Sequence, residues 1–271
     1  MPLTILITGS TDGIGLETAK KLATAGHVVI LHGRNPAKLE DAVRAVSALS
    51  GGGEVESHVA DLSRMADVEA LAKAVAAKHG SLDVLINNAG ILKAPETVTP
   101  DGLDVRFAVN TIAPYLLTRR LLPLLGASAR IVNLSSAAQS PVYPDALAGN
   151  LRLSDMDAYA QSKLALTMWS GQLARSLGED GPVVVAVNPG SMLGTKMVKD
   201  GFGVAGGDIG IGAGILVRAA LSDDFASASG RYFDNDSGRF APPHRDALDP
   251  AKSAAIVSAI EDILARLSVA I

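Results

Sequence analysis

The chain has 271 residues, 48% hydrophobic and 19% charged, enough to bury a substantial core in one large α/β unit or two small domains. With 24 Lys+Arg against 28 Asp+Glu the formal net charge is -4, so no cationic field favours nucleic acid or anionic lipid, and 4% aromatic residues are too few for base-stacking platforms. There is no cysteine, which excludes disulfides, thiolate nucleophiles and Cys-ligated metals and leaves the chemistry to O and N groups.

Met1-Pro2-Leu3-Thr4-Ile5-Leu6 carries no basic n-region, and runs such as Val183-Val184-Val185-Ala186-Val187 are far shorter than the ~20 apolar residues of a membrane span. The expectation is a cytoplasmic protein with no membrane or nucleic-acid partner. Strands are predicted over residues 3–8, 27–32, 55–60, 82–87, 129–135, 183–188 and, more weakly patterned, 231–234. Helices are predicted over 13–25, 36–50, 64–79, 102–125, 155–177, 211–222 and 250–269, punctuated by Gly26, Gly51-Gly52-Gly53, Gly80 and Gly126. This alternation predicts an α/β fold, a single-domain doubly wound parallel sheet of about seven strands with helices on both faces, over residues 1–271. Two stretches break the rhythm: an insertion over 137–154, and a glycine-rich loop over 189–213 expected to be a mobile flap. Loops at the carboxyl ends of strands are where open α/β sheets bind ligands.

The first strand runs into Thr8-Gly9-Ser10-Thr11-Asp12-Gly13-Ile14-Gly15 and then a helical pattern. Gly9 suits a tight turn, Gly13 lets backbone approach a pyrophosphate, Gly15 lets helix and strand pack closely, and the helix N-terminus offers free N–H groups. At the end of the second strand, where an acidic residue would hold a ribose 2′-hydroxyl, the sequence has Gly33-Arg34. A guanidinium there binds a 2′-phosphate bidentately, so the predicted cofactor is NADP(H) in preference to NAD(H); the plainer reading is a solvated surface arginine. Asp61-Leu62 follows the third strand, where the carboxylate suits an adenine amino group and leucine covers the ring. Asn87-Asn88-Ala89-Gly90 ends the fourth, either as a close passage beside a cofactor or as simple turn chemistry.

Tyr159 and Lys163 lie four apart on a predicted helix and share one face. An ammonium beside a phenol of pKa near 10 favours the phenolate, while the plainer alternative is an amphipathic helix with a half-exposed Tyr and a snorkelling Lys. Together with Ser135-Ser136 at the end of the fifth strand and Asn110 in the helix before it, the set resembles the short-chain dehydrogenase/reductase family; the added residues between Ser136 and Tyr159, including Asn150-Leu151-Arg152-Leu153-Ser154-Asp155, and the following Ser162-Lys163-Leu164-Ala165 resemble its retinol dehydrogenase-like and protochlorophyllide reductase-like branch. The likeness runs in register over about residues 3–234, through the Thr8–Gly15 motif, Asp61, Asn87-Asn88-Ala89-Gly90, Asn110, Ile131-Val132-Asn133-Leu134-Ser135-Ser136, Tyr159/Lys163 and Pro189-Gly190. It implies a Rossmann fold with Tyr159 as acid/base and Lys163 binding the nicotinamide ribose and acidifying Tyr159. It further implies that Ser136 hydrogen-bonds the substrate oxygen and that Asn110 holds a water linking Lys163 to solvent. Thr195 matches the family threonine that contacts the carboxamide, with Ser191 as the alternative, and two helices flanking the fifth strand are candidates to pair across a dyad as in many family homo-oligomers.

The implied activity is hydride transfer between NADP(H) and a carbonyl or secondary alcohol, the rival being a catalytically silent NADP(H)-binding regulator or scaffold on the same fold. Leu92 and Met192, with Val142, Tyr143, Leu193, Met197 and Phe202, are expected to line an apolar substrate pocket, and Lys93 and Arg152 are either anion contacts or solvated. The five histidines, His27, His32, His58, His79 and His244, lack the spacing of a metal site and read as surface or turn residues. No G-x-S-x-G nucleophile elbow occurs. Met168-Trp169 and the stretch 116–125 read as buried packing.

Overall fold

Four strands, β1 (Thr4–Ile7), β2 (Val28–Gly33), β4 (Val84–Asn87) and β6 (Val183–Asn188), are almost continuously apolar, the pattern of parallel strands covered on both faces. β5 (Arg130–Leu134) is buried from Ile131 onward, whereas β3 (Val55–Val59) alternates buried and open positions as an edge strand. The computed structural model describes residues 1–49, 51 and 53–269. Among these, β7 (Tyr232–Asp234) and β8 (Arg239–Phe240) complete an eight-stranded sheet of order β3-β2-β1-β4-β5-β6-β7-β8. All neighbours are parallel except β7–β8. The seven expected strands are present. The eighth is a two-residue return that pairs Phe233 with Phe240 and is too short to carry a periodic signal.

One face of the sheet is covered by α1 (Gly13–Thr24), α2 (Pro36–Ser47) and α9 (Ile209–Leu221), around a core that includes Ile5, Leu22, Val46, Val185 and Leu216. The other carries α3 (Met65–Lys78), α5 (Ala113–Leu121), α7 (Asp155–Leu177) and α10 (Pro250–Arg266), around Leu85, Phe107, Leu116, Trp169 and Ile260. Met168 and Trp169 are 3% and 0% exposed, as expected of packing residues. The expected helix 36–50 ends at Ser47; its last residue, Ser50, and Gly52 lie outside the described residues.

The helix expected over 102–125 is in fact broken. A three-residue turn, α4 (Val105–Phe107), passes into a π turn at Ala108–Ile112, then α5, and Leu122–Leu124 closes in a 3-10 turn. Single π turns inside α-helices concentrate at functional sites, and this one carries Asn110. Beneath the carboxyl ends of the central strands, Asn87 Nδ2 donates to Asn133 Oδ1 at 2.8 Å and to Thr118 Oγ1 at 3.0 Å, and Asn133 Nδ2 donates to Ser170 Oγ at 2.8 Å. This buried amide chain ties β4 and β5 to α5 and α7, fixing α7 relative to the sheet.

The segment 189–213 also differs from expectation, for it contains α8 (Lys196–Phe202). Thr195 caps its start by accepting from Val198 N–H at 3.3 Å, and Gly203 closes it at φ +70, so the capping signals outweigh the surrounding glycines. The inserted segment 137–154 carries a single turn, α6 (Pro144–Leu147).

Candidate active site

A cleft of about 540 Å³ opens at the carboxyl ends of the strands, beside the switch point between β1 and β4. One wall is the turn from β1 into α1. Gly9 has φ +64, and a Cβ there would stand 2.8 Å from Ala89 Cα, so both its conformation and its neighbour demand glycine. Asn88 Nδ2 braces the same turn by donating to Thr8 O at 2.8 Å and Gly9 O at 2.9 Å. Gly9, Thr11, Asp12, Gly13, Ile14 and Gly15 face the cleft. Ser10 does not: it is fully buried, and its hydroxyl donates to Ile7 O at 3.0 Å and accepts from His32 N–H at 2.9 Å. Expected as a cofactor contact, it is an internal brace of the turn. Asp12 accepts from Gly13 N–H at 2.7 Å and caps α1.

Arg34, Asp61, Leu62, Ala89 and Gly90 line the cleft as expected. Arg34 is exposed and makes no ion pair among the described residues. A Cβ at Gly33 would lie 2.4 Å from Thr11 Cγ2, so any side chain there needs the Thr11 methyl to swing aside. His32, read from sequence as a surface or turn residue, is only 3% exposed and faces the same cleft, with hydrogen bonds to the glycine turn and to the residue before Asp61.

At the other end of the cleft the Ser135-Ser136 turn meets α7. The helix begins at Ser154, whose hydroxyl accepts from Asp157 N–H at 3.2 Å, with Asp155 and Asp157 in the first turn favouring its positive end. One turn further on, Tyr159 and Lys163 both face the cleft, with Ser136 opposite. Ser136 stands close enough to act on the Tyr159 phenol, and Lys163 Nζ lies 5.7 Å from the Tyr159 ring centroid. Burial pushes the Tyr159 phenol above its usual value, and the Ser136 side chain only partly opposes it. Burial in turn pushes the Lys163 ammonium down to about 8.

Lys163 Nζ donates to Leu134 O at 2.7 Å, its one hydrogen bond among the described residues. A Cβ at Gly90 would fall 3.3 Å from that Nζ and 3.6 Å from Asn110 Oδ1, so glycine keeps open the space between the two. Asn110 itself is fully buried: Oδ1 accepts from Ile91 N–H at 2.8 Å, and Nδ2 donates to Ile91 O at 3.0 Å and Ser162 Oγ at 2.9 Å. Its amide therefore splints the strand-to-loop segment at Ile91, and a single lone pair of Oδ1 is left for a water.

Pro189, Gly190, Ser191 and Thr195 close the cleft from the β6 side. Ser191 is pinned by Asp236, which accepts from its N–H at 2.7 Å and from its hydroxyl at 2.6 Å. Those hydrogen bonds hold the Asp236 carboxyl below its usual value in spite of its partial desolvation. Leu92, Met192, Leu193, Met197 and Phe202 are brought together on the substrate side, joined by Met156, which sequence reading did not select. Lys93 lies at this wall, whereas Val142, Tyr143 and Arg152 are not part of it, because the inserted segment turns through α6 away from the opening. The trio Ser136, Tyr159 and Lys163, beside a glycine-lined nucleotide-shaped groove, can hold a substrate oxygen and exchange a proton with it.

A sequence profile described as short chain dehydrogenase matches residues 3–202. Retinol dehydrogenase 13 of Homo sapiens is 30% identical, over 92% of this chain and 81% of that protein. The chloroplastic short-chain dehydrogenase TIC 32 A of Brassica napus is 33% identical, over 85% of this chain and 79% of that one. Among solved structures, a short chain dehydrogenase from Burkholderia cenocepacia in complex with NADP aligns with a TM-score of 0.71 at 29% identity, over 87% of this chain and 97% of that chain.

Proposed function

Given that the chain belongs to the short-chain dehydrogenase family, in its retinol dehydrogenase-like branch, we propose that it is an NADP(H)-dependent oxidoreductase acting on a carbonyl or secondary alcohol of a small apolar substrate. The observation that carries this reading is the meeting of Ser136, Tyr159 and Lys163 in the same cleft as the glycine turn. Gly9, Gly13 and Gly90 give room for a dinucleotide, and Lys163 retains donor capacity toward it, so the residues present fit that cofactor. Gly13 at the N-terminus of α1 and Ser191 and Thr195 on the far wall would hold it, Arg34 engaging a 2′-phosphate and Asp61 with Leu62 the adenine. When bound, the nicotinamide supplies hydride exchange with the substrate carbon.

The protein's own residues handle the oxygen. Ser136 hydroxyl orients it, and Tyr159, kept protonated near neutrality by burial, donates its proton as a carbonyl is reduced. Lys163, with a pKa near 8 and space toward Asn110 across Gly90, faces the route by which that proton is replaced. Leu92, Met156, Met192, Met197 and Phe202 favour an apolar body on the substrate and exclude water. The lining of the cleft by residues between Ser191 and Phe202 supports a flap role for 189–213, and among the described residues no helix is long and apolar enough to cross a membrane. A panel of ketones and aldehydes with NADPH, followed by loss of reduced-cofactor absorbance, tests the reading. Turnover supports an enzyme; tight NADP(H) binding with no turnover across the panel and its alcohol counterparts would favour the regulator instead.

A further inference from the structure

His32 sits next to the end of β2, with its ring enclosed between the glycine turn and the end of β3. Its Nδ1 accepts from Gly9 N–H at 3.1 Å, and its Nε2 lies 3.1 Å from Ala60 O. A backbone N–H only donates and a carbonyl only accepts, so the two partners together require a bare Nδ1 and a protonated Nε2. The neutral Nε2–H tautomer is the one form that satisfies both ends. Its main chain adds to the tie, for His32 N–H donates to Ser10 Oγ at 2.9 Å and Ser10 N–H donates to His32 O at 3.0 Å. The turn is thus clamped from two sides, by His32 on one and by Asn88 and Ala89 on the other.

We propose that His32 is a positioning residue for the dinucleotide, a neutral imidazole strut that fixes Gly9 at the pyrophosphate end of the cleft and Ala60, the residue before Asp61 and Leu62, at the adenine end. The inference rests on the dinucleotide reading of the cleft. Its physical content is that one side chain braces directly across two subsites whose strands are otherwise joined through the main-chain ladder, including Ala60 N–H donating to Gly33 O at 3.2 Å. Burial and the nearby His58 push the imidazole down to about 4, against the opposing pull of Ala60 O and Asp61, so the strut stays in its uncharged form near neutrality. Without the ring, Gly9 N–H loses its acceptor and the turn gains alternative conformations that the cofactor must select against.

Three variants separate the two ends of the strut. Asparagine places an oxygen near the Nδ1 position but falls short of Ala60; glutamine reaches toward Ala60; leucine fills the volume and does neither. Binding of NADP⁺ by titration calorimetry, with amide hydrogen exchange of Gly9 and Ser10 in the cofactor-free protein, is the measurement. His32→Leu is expected to bind about 10- to 100-fold more weakly and to exchange faster at Gly9, with His32→Asn recovering most of the Gly9 protection and part of the affinity. A merely structural role predicts something else: Asn and Leu variants equally impaired, affinity tracking melting temperature. Folded His32→Leu with wild-type affinity and wild-type Gly9 exchange would overturn the strut, as would an Asn variant no better than Leu. Wild-type protein that binds neither NADP⁺ nor NAD⁺ would instead sink the dinucleotide reading.

Discussion

Tyr159 and Lys163 are displaced by the same cause in opposite chemical directions, since burial disfavours both the phenolate and the ammonium. Removing only the hydroxyl, in Tyr159→Phe, is expected to cut turnover by about 10²–10⁴ while leaving NADP⁺ affinity nearly unchanged, measured as initial rate and dissociation constant. Lys163→Met should lower both, because its ammonium faces the nucleotide groove as well as the phenol ring. Arg34, exposed and without an ion-pair partner among the described residues, is the position expected to discriminate between the two nicotinamide dinucleotides. Arg34→Ala is expected to reduce the NADP(H)/NAD(H) ratio of kcat/KM by about 10- to 100-fold at low salt, and an unchanged ratio would refute the assignment. Gly33→Asp as a companion substitution requires the Thr11 methyl to move, because the new Cβ would meet Thr11 Cγ2. His32 brings a pH dependence whose sign follows from its lowered pKa of about 4 against 6.5 when unfolded. Between those values the unfolded chain binds the extra proton, so stability is present above pH 6.5 and declines toward pH 4, by about 3 kcal/mol at most from this residue. Melting temperature against pH, flatter in His32→Gln than in the wild type over that interval, is the check.

At the scale of elements, the β7–β8 return and the segment carrying α8 act on one another. Asp236 sits in the return and pins Ser191 at the root of the segment, while Asn235 Nδ2 donates to Pro189 O at 2.9 Å. Closure over a ligand is therefore expected to involve α8 more than its root: hydrogen exchange should slow at 196–207 on adding NADP⁺ with a substrate analogue, and stay slow throughout at Gly190 and Ser191. Asp236→Asn should speed exchange at Ser191 and weaken cofactor binding. Equal protection of 196–207 in both states would argue for a static cover. The helix was hidden in the sequence because Gly194 beside its N-cap Thr195 and Gly201 inside it made its C-cap Gly203 look like one more loop glycine. What could be read directly was local: the turn from Gly9 to Gly15, and Tyr159 with Lys163 one helical turn apart. What could not was set by packing between distant elements. The role of His32 depends on Gly9 and Ala60, 23 and 28 residues away, and the π turn that carries Asn110 has no residue pattern of its own.

Across the whole molecule, α10 lies against α5 and α7, the helices flanking β5 that were the expected candidates for pairing across a dyad. Ile256, Ile260, Ile263 and Leu264 join the core around Trp169 and Leu173, Tyr115 hydroxyl donates to Glu261 Oε1 at 2.6 Å, and Arg266 Nη2 donates to Ala148 O at 3.1 Å. With that surface occupied from within, light scattering is expected to give the monomer mass at micromolar concentration, and a stable dimer joined through α5 and α7 would contradict it. Ile260→Ala should lower unfolding free energy by about 2–5 kcal/mol, read by urea titration. The same contact also dates the completion of the fold. Tyr115 and Glu261 are 146 positions apart, and α10 follows every strand in the chain, so a ribosome releases the apolar flank of α5 and α7 well before the helix that shields it. Until then the growing chain displays that flank to whatever else is in the cell, and chaperone demand during synthesis should be set by the wait for the last helix more than by assembly of the sheet.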